Sequence, residues 1–158
     1  MLREAKRFHA RSKMTVPEIT VRNLQRKIPV NVTELEKFAR NAAHNSLQLH
    51  QRKRTDLRKL SEIFIWLISD RRMVLLHRKF LGRSGPTDVL TFQHGEIFIS
   101  VETARRHAHA FGNSLTRELK LYIVHGLLHL HGFDDQTPAR ACKMNRVQEI
   151  ILRCALSC

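Results

Sequence analysis

The chain has 158 residues, 42% of them hydrophobic, which is enough for one domain with a real core and excludes a wholly disordered chain. Lys and Arg number 28 against 14 Asp and Glu, a formal charge of +14; this favours a polyanionic partner, most simply nucleic acid, with an anionic membrane surface as the other option. No run approaches the ~18 apolar residues of a membrane span, and the three Cys contain no CxxC pair, so a disulfide framework and a zinc knuckle are excluded and a reduced, cytoplasmic protein is expected.

Residues 1–16 are basic, lack the apolar stretch of a secretory signal, and read as a flexible arm ahead of a single domain over 17–158. Residues 19–24 alternate apolar and polar, as a strand does. Asn31 can cap a helix, with Glu34 three residues on as in a capping box, and Leu35, Phe38, Ala39, Ala42 and Ala43 recur at helical spacing. Residues 47–59, rich in Gln, Arg and Lys, read as a solvated loop, with a dedicated RNA contact as the alternative. The apolar run 61–69 predicts a buried strand. Asp70 is placed to cap a helix over 71–80 whose apolar side is Val74, Leu75 and Leu76, and Gly82 ends it.

The stretch 84–87 is loop chemistry, in which Pro86 fixes the chain direction. Strands over 89–93 and 96–100 flank His94-Gly95, a tight hairpin. Thr87 and Asp88 stand at the strand entrance as Asx- or ST-type hydrogen-bonding residues. Helices are predicted over 102–111, ending at Gly112, over 116–130, and from Pro138 to about Ala155. The Cys residues fall on the last helix, where packing as small hydrophobes is expected. The order β-α-β-α-β-β-α-α-α predicts an α/β fold: a mixed sheet of about four strands with about five helices packed on it, and a parallel crossover between the first two strands.

The chemistry concentrates in HGLLHLHGFDD, residues 125–135. His125 and His129 are four apart, so a helix puts both imidazoles on one face, one turn apart, within reach of one ion. Gly132 breaks the helix, and Asp134 or Asp135 can return a carboxylate to the same place. Two His and a carboxylate leave a position open for water, as in catalytic zinc sites, although the spacing alone does not choose the metal. The plain alternative is two imidazoles hydrogen-bonded to backbone. Gly126, not Glu, follows the first His, so this is not the H-E-x-x-H of common zinc proteases, and no general base is visible.

Read together with VLLHRKFLGRSGPTDVLTF and GEIFIS, the HGLLHLHGFDD segment resembles the signature region of the YbeY family of bacterial rRNA maturation factors and single-strand-specific endoribonucleases. The resemblance runs from about Ile19 to Leu152. It implies an α/β fold and one zinc ion held by three His in the pattern H-x3-H-x5-H. The first two ligand positions fall on His125 and His129; the third falls on Asp135. His131 is too early in the pattern and no His follows. Asp135 is therefore expected as an oxygen ligand, with Asp134 as the alternative ligand or as a partner orienting a ligating His. The family's Arg at the end of the second helix, associated with RNA phosphates, is replaced by Leu81, and Arg78, Lys79 and Arg83 stand close enough in sequence to supply its charge. The turn at His94-Gly95 is shorter than in many relatives.

The resulting expectation is a zinc-dependent endoribonuclease of single-stranded RNA, working in rRNA maturation with the small ribosomal subunit or its proteins as partner and without a membrane. The alternative is a non-catalytic ribosome-assembly factor in which the metal is a structural pin. A peptidase fits the +14 charge and the missing Glu poorly.

Overall fold

The computed structural model describes residues 15–51, 53–85 and 87–157. Nearly all of the basic arm, and Pro86 and Cys158, lie outside the described residues. The elements follow in the expected order: β1 (Glu18–Asn23), α1 (Val32–Leu47), β2 (Glu62–Ile68), α2 (Asp70–Leu81), β3 (Val89–Phe92), β4 (Glu96–Ser100), α3 (Val101–Phe111), α4 (Leu115–Leu130) and α5 (Pro138–Leu156). The sheet order is β1-β2-β4-β3. β1, β2 and β4 run parallel, and β3 pairs antiparallel with β4 at the edge. This is the mixed four-strand sheet with five helices that the sequence predicts. No helix among the described residues is long and apolar enough to cross a membrane.

Strand alternation divides the sheet into two faces. Ile19, Val21, Ile63, Ile65, Leu67, Ile97 and Ile99 are buried and join one core with α1, α4 and α5. The other face carries Phe64, Trp66, Phe92 and Phe98, and α2 closes part of it by burying Met73 against Ile68 and Leu90. The predicted apolar side of α2 is thus displaced: Met73 is its one buried residue, and Leu75 is 58% exposed.

Local chemistry explains the element ends. Asn31 Oδ1 accepts from the Glu34 amide at 3.1 Å, but Glu34 turns to Lys120 Nζ at 2.6 Å and leaves the capping box half made. Ser69, not Asp70, caps α2, accepting from the Arg72 amide at 3.3 Å. Asp70 is the first helical residue instead, where its carboxylate accepts from Thr103 Oγ1 at 2.7 Å and Arg106 Nη1 at 2.6 Å. The hairpin turn has three residues rather than two, since Phe92 pairs with Glu96. Gly95 closes it at φ +101°, where a Cβ would lie 2.7 Å from the Glu62 carbonyl oxygen. Asp88 Oδ1 accepts from the Val89 amide at 2.9 Å and from Thr87 Oγ1 at 3.3 Å, bonds between chain neighbours in place of the two-residue reach of an Asx turn. Cys142 and Cys154 are exposed on α5; they fall outside its buried stripe of Met144, Gln148, Ile151, Leu152 and Ala155.

The loop 48–60 departs furthest from expectation. It is not simply solvated: Leu57 is fully buried and its amide donates to the Leu130 carbonyl at 2.9 Å. His131, also fully buried, ties the loop down with both ring nitrogens. Its Nε2–H donates to the Leu49 carbonyl at 3.0 Å, which leaves Nδ1 to accept from Thr55 Oγ1 at 3.0 Å. Arg58 adds a donor to the Leu47 carbonyl at 2.9 Å. The buried imidazole is therefore a structural clamp between the loop and the end of α4.

Burial holds the His131 pKa below its usual 6.5, outweighing the Leu49 carbonyl, which favours the charged ring. The unfolded chain takes up a proton near pH 6.5 that the native ring refuses, so stability falls as pH drops from there toward the lowered native value. We expect the urea midpoint to fall between about pH 7.5 and pH 5.5. His131→Gln should cost about 1–3 kcal/mol at the upper pH, through lost buried hydrogen bonds, and should show a flatter pH dependence. An unchanged pH profile in that variant would remove His131 as the titrating group.

Candidate metal centre

α4 is the most enclosed helix of the fold, burying Leu119, Ile123, Val124, Leu127 and Leu128. Its close approach to the sheet requires a residue without a side chain: a Cβ on Gly126 would lie 2.8 Å from Ile97 Cγ2 and 2.9 Å from Ile97 Cδ1. The glycine that follows the first His is thus set by packing against β4. With that register fixed, His125 and His129 emerge together on the open side of the helix.

Their rings meet at 4.5 Å between centroids and 83° between planes. Each Nδ1 is occupied. That of His125 donates to Gln148 Oε1 on α5 at 3.0 Å, and that of His129 donates to the Phe133 carbonyl at 3.1 Å. In a neutral ring the other nitrogen is then a lone pair, and the two Nε2 atoms lie 2.9 Å apart. Two lone pairs facing each other at that distance repel unless a cation or proton lies between them. Asp135 Oδ2 completes the group, 3.8 Å from His125 Nε2, and one ligand atom from each of the three residues lies within 4.8 Å of the others. Burial and the neighbouring His125 ring lower the His129 pKa, against opposing contributions from Asp135 and the Phe133 carbonyl. The ring is thereby kept neutral and able to donate an electron pair.

Gly132, at φ +91°, turns the chain after α4 and brings the two aspartates round. They then separate. Asp135 faces the imidazoles, whereas Asp134 accepts from Arg140 Nη1 at 3.1 Å and from the Gln136 amide at 3.2 Å, an arrangement that joins the turn to α5. Arg78 and Lys79, on the last turn of α2, and Arg83 beyond it are exposed, with Lys79 Nζ 5.4 Å from the Phe80 ring centroid. Leu81, Val89, Thr91 and Gln93 line a cavity of about 310 Å³ that ends on His129; Arg78, Lys79 and Arg83 are absent from its described lining.

Gln148 was missed by sequence reasoning. Its signal is a polar side chain on the buried stripe of α5, between Met144 and Ile151; such a residue needs a partner inside the fold. The carbonyl of Phe133 carries no side-chain signal at all.

An α/β domain whose most enclosed helix presents a His-x3-His pair, closed by a carboxylate from the following turn, has a group of side chains that could hold a metal ion. The family profile described as Endoribonuclease YbeY matches residues 20–155, and the chain belongs to that family. Curated relatives named Endoribonuclease YbeY include one from Moorella thermoacetica, 39% identical over 58% of this chain and 71% of its own length. One from Thermus thermophilus is 40% identical over 57% of this chain and 73% of its own length. The match to an Anaeromyxobacter relative, 38% identical, spans 54% of that protein. A solved solution structure from Thermotoga maritima superposes with a TM-score of 0.61 at 22% identity, covering 88% of this chain and 89% of that one, a likeness of fold.

If Gln148 aligns a ligating imidazole, Gln148→Leu should lower metal affinity by roughly 10–100-fold without unfolding the chain. Asp134→Ala should cost less, because that carboxylate points to Arg140. Chelator competition against zinc-loaded protein measures both; a larger loss in Asp134→Ala would exchange the two roles.

Proposed function

We propose that this chain is a zinc-dependent endoribonuclease of single-stranded RNA, acting in the cytoplasm on ribosomal RNA with the small ribosomal subunit as its setting. The observation that carries the proposal is the convergence of two imidazole Nε2 lone pairs and one carboxylate oxygen, each ring aligned from behind by an oxygen acceptor. Membership of a family described as endoribonuclease supports RNA as substrate, and the +14 charge supports a polyanion.

His125, His129 and Asp135 would hold the ion, a nitrogen–nitrogen–oxygen donor set that suits zinc. When bound, the ion supplies Lewis acidity to a phosphate oxygen and to an attacking water. Gln148 and the Phe133 carbonyl keep the tautomers that direct both Nε2 atoms forward and make the rings more basic ligands. Asp135 contributes a negative charge that a third imidazole would not, which moderates that acidity. The cavity beside His129 is walled by Leu81, Val89 and Leu90, with Thr91 and Gln93 as its polar members. A neutral wall of this kind suits a base or ribose in place of a phosphate. No side chain here is assigned as general base.

Asp135→Ala should lower zinc occupancy as much as His129→Ala does, and by more than the ~10–100-fold of an orienting partner. Asp135→His should hold or tighten the ion and should maintain or raise the rate of cleavage of a fluorescent single-stranded RNA where chemistry is limiting. Full occupancy in Asp135→Ala with loss in Asp134→Ala would move the carboxylate role to Asp134. A wild-type chain that takes up no zinc would end the metalloenzyme reading and leave the assembly-factor reading in its place.

A further inference from the structure

The turn after α4 separates two recesses. One is the neutral cavity beside His129. The other is a groove of about 720 Å³ whose floor includes Leu130 and Gly132 and whose walls include His50, Lys53, Arg54 and Lys143. Leu130 lines both, so they meet at the residue that follows His129.

The groove carries an excess of positive charge. Its one carboxylate among the described lining residues, Asp56, lies 3.5 Å from Lys59 Nζ. Lys53, Arg54 and Lys143 form no ion pair among the described residues, and Lys143 Nζ rests 5.8 Å from the Phe133 ring centroid, over the residue whose carbonyl aligns His129. Gathering like charges around one recess is unfavourable in the absence of an anion. The fold nevertheless holds them there. Lys53 and Arg54 stand on the loop that His131 clamps through Thr55 and Leu49, and that Leu57 anchors to Leu130. The two cations therefore stand one and two residues ahead of an anchored Thr55, which lowers the ordering cost left to ligand binding.

We propose that this groove is a phosphate-binding subsite that carries the backbone of a single RNA strand past Leu130 to the His125–His129–Asp135 centre. The proposal rests on the endoribonuclease reading for what happens at the end of the groove, while its grip on phosphate stands on charge and shape alone. The strand is thus divided: phosphates along the Lys53, Arg54 and Lys143 side, and a base or ribose against Leu81, Val89 and Leu90.

The test compares Lys53→Ala/Arg54→Ala/Lys143→Ala with Arg22→Ala/Lys37→Ala/Arg105→Ala, which removes the same charge from exposed positions on β1, α1 and α3. Binding of a fluorescein-labelled single-stranded RNA, with a chelator present to stop metal-dependent hydrolysis, is followed by anisotropy across a salt series. The groove variant should bind roughly 10–100-fold more weakly, with a log–log salt slope shallower by about 2, at ~0.7 per phosphate; the control should change both far less. Equal losses in the two variants, or an unchanged slope in the groove variant, would overturn the subsite. Cleavage is read separately on unmodified RNA with zinc-loaded wild-type chain. Binding that depends on the groove in a chain that cuts no RNA would sustain the subsite and overturn the endoribonuclease reading. Cleavage by a chain that binds equally well without the three cations would overturn the subsite alone.

Discussion

The contact between Gly126 and Ile97 fixes the site. α4 lies so close to the central strand β4 that even a methyl group at position 126 meets Ile97 side-chain atoms within 3 Å. A helix seated that deeply has one rotational setting, and in it Leu127 and Leu128 enter the core while His125 and His129 face outward together. Rotation by one residue, about 100°, would drive an imidazole into the sheet. Gly→Ala exchanges in a helix ordinarily add backbone propensity; here the gain meets a fully buried Ile97 with little room to yield. The position of His125 and His129 is thus a property of the hydrophobic core.

The two faces of the sheet serve different ends. The face under α4 is closed and aliphatic, and it sets how His125 and His129 are presented. The opposite face is aromatic, with Phe64 and Trp66 stacked at 5.7 Å, Phe92 against Phe98 at 5.7 Å, and Phe80 of α2 edge-on to Phe92 at 5.1 Å. Glu96 ties this array together, accepting from Trp66 Nε1 at 3.0 Å and approaching His94 Nε2 at 2.7 Å. Because Phe80 is bracketed to β3, the neighbouring Leu81 is delivered to the wall of the cavity beside His129. A helix with a single fully buried residue is in this way held where it shapes the approach to the site.

Hydrophobic period and punctuation made the element order and the outline of the centre legible in the sequence. The i, i+4 spacing of His125 and His129, with Gly132 to turn the chain, suffices to bring a carboxylate back. What stayed hidden was decided by long-range partners. The choice of Ser69 over Asp70 as cap reflects the call of Ser100, Thr103 and Arg106 on the Asp70 carboxylate. Residues 47–59 look solvated because their charge is conspicuous, whereas the residues that anchor them, Thr55 and Leu57, are few and scattered. His131, two residues beyond His129 in the sequence, is structural for a reason visible only in three dimensions: both its nitrogens already have partners on the loop.

That division of labour within the loop bears on how the protein can change. Thr55 is held to His131 and Leu57 to Leu130, so substitution at Thr55, Leu57 or His131 disturbs the end of α4 and, with it, the turn that carries Asp135. Lys53 and Arg54, just ahead of Thr55 on the same loop, are exposed and make no ion pair with described residues that the fold would miss. Mutations there are close to neutral for folding. A lineage is therefore free to exchange the charges of this loop and adjust its hold on a polyanion, while the scaffold that positions them stays fixed.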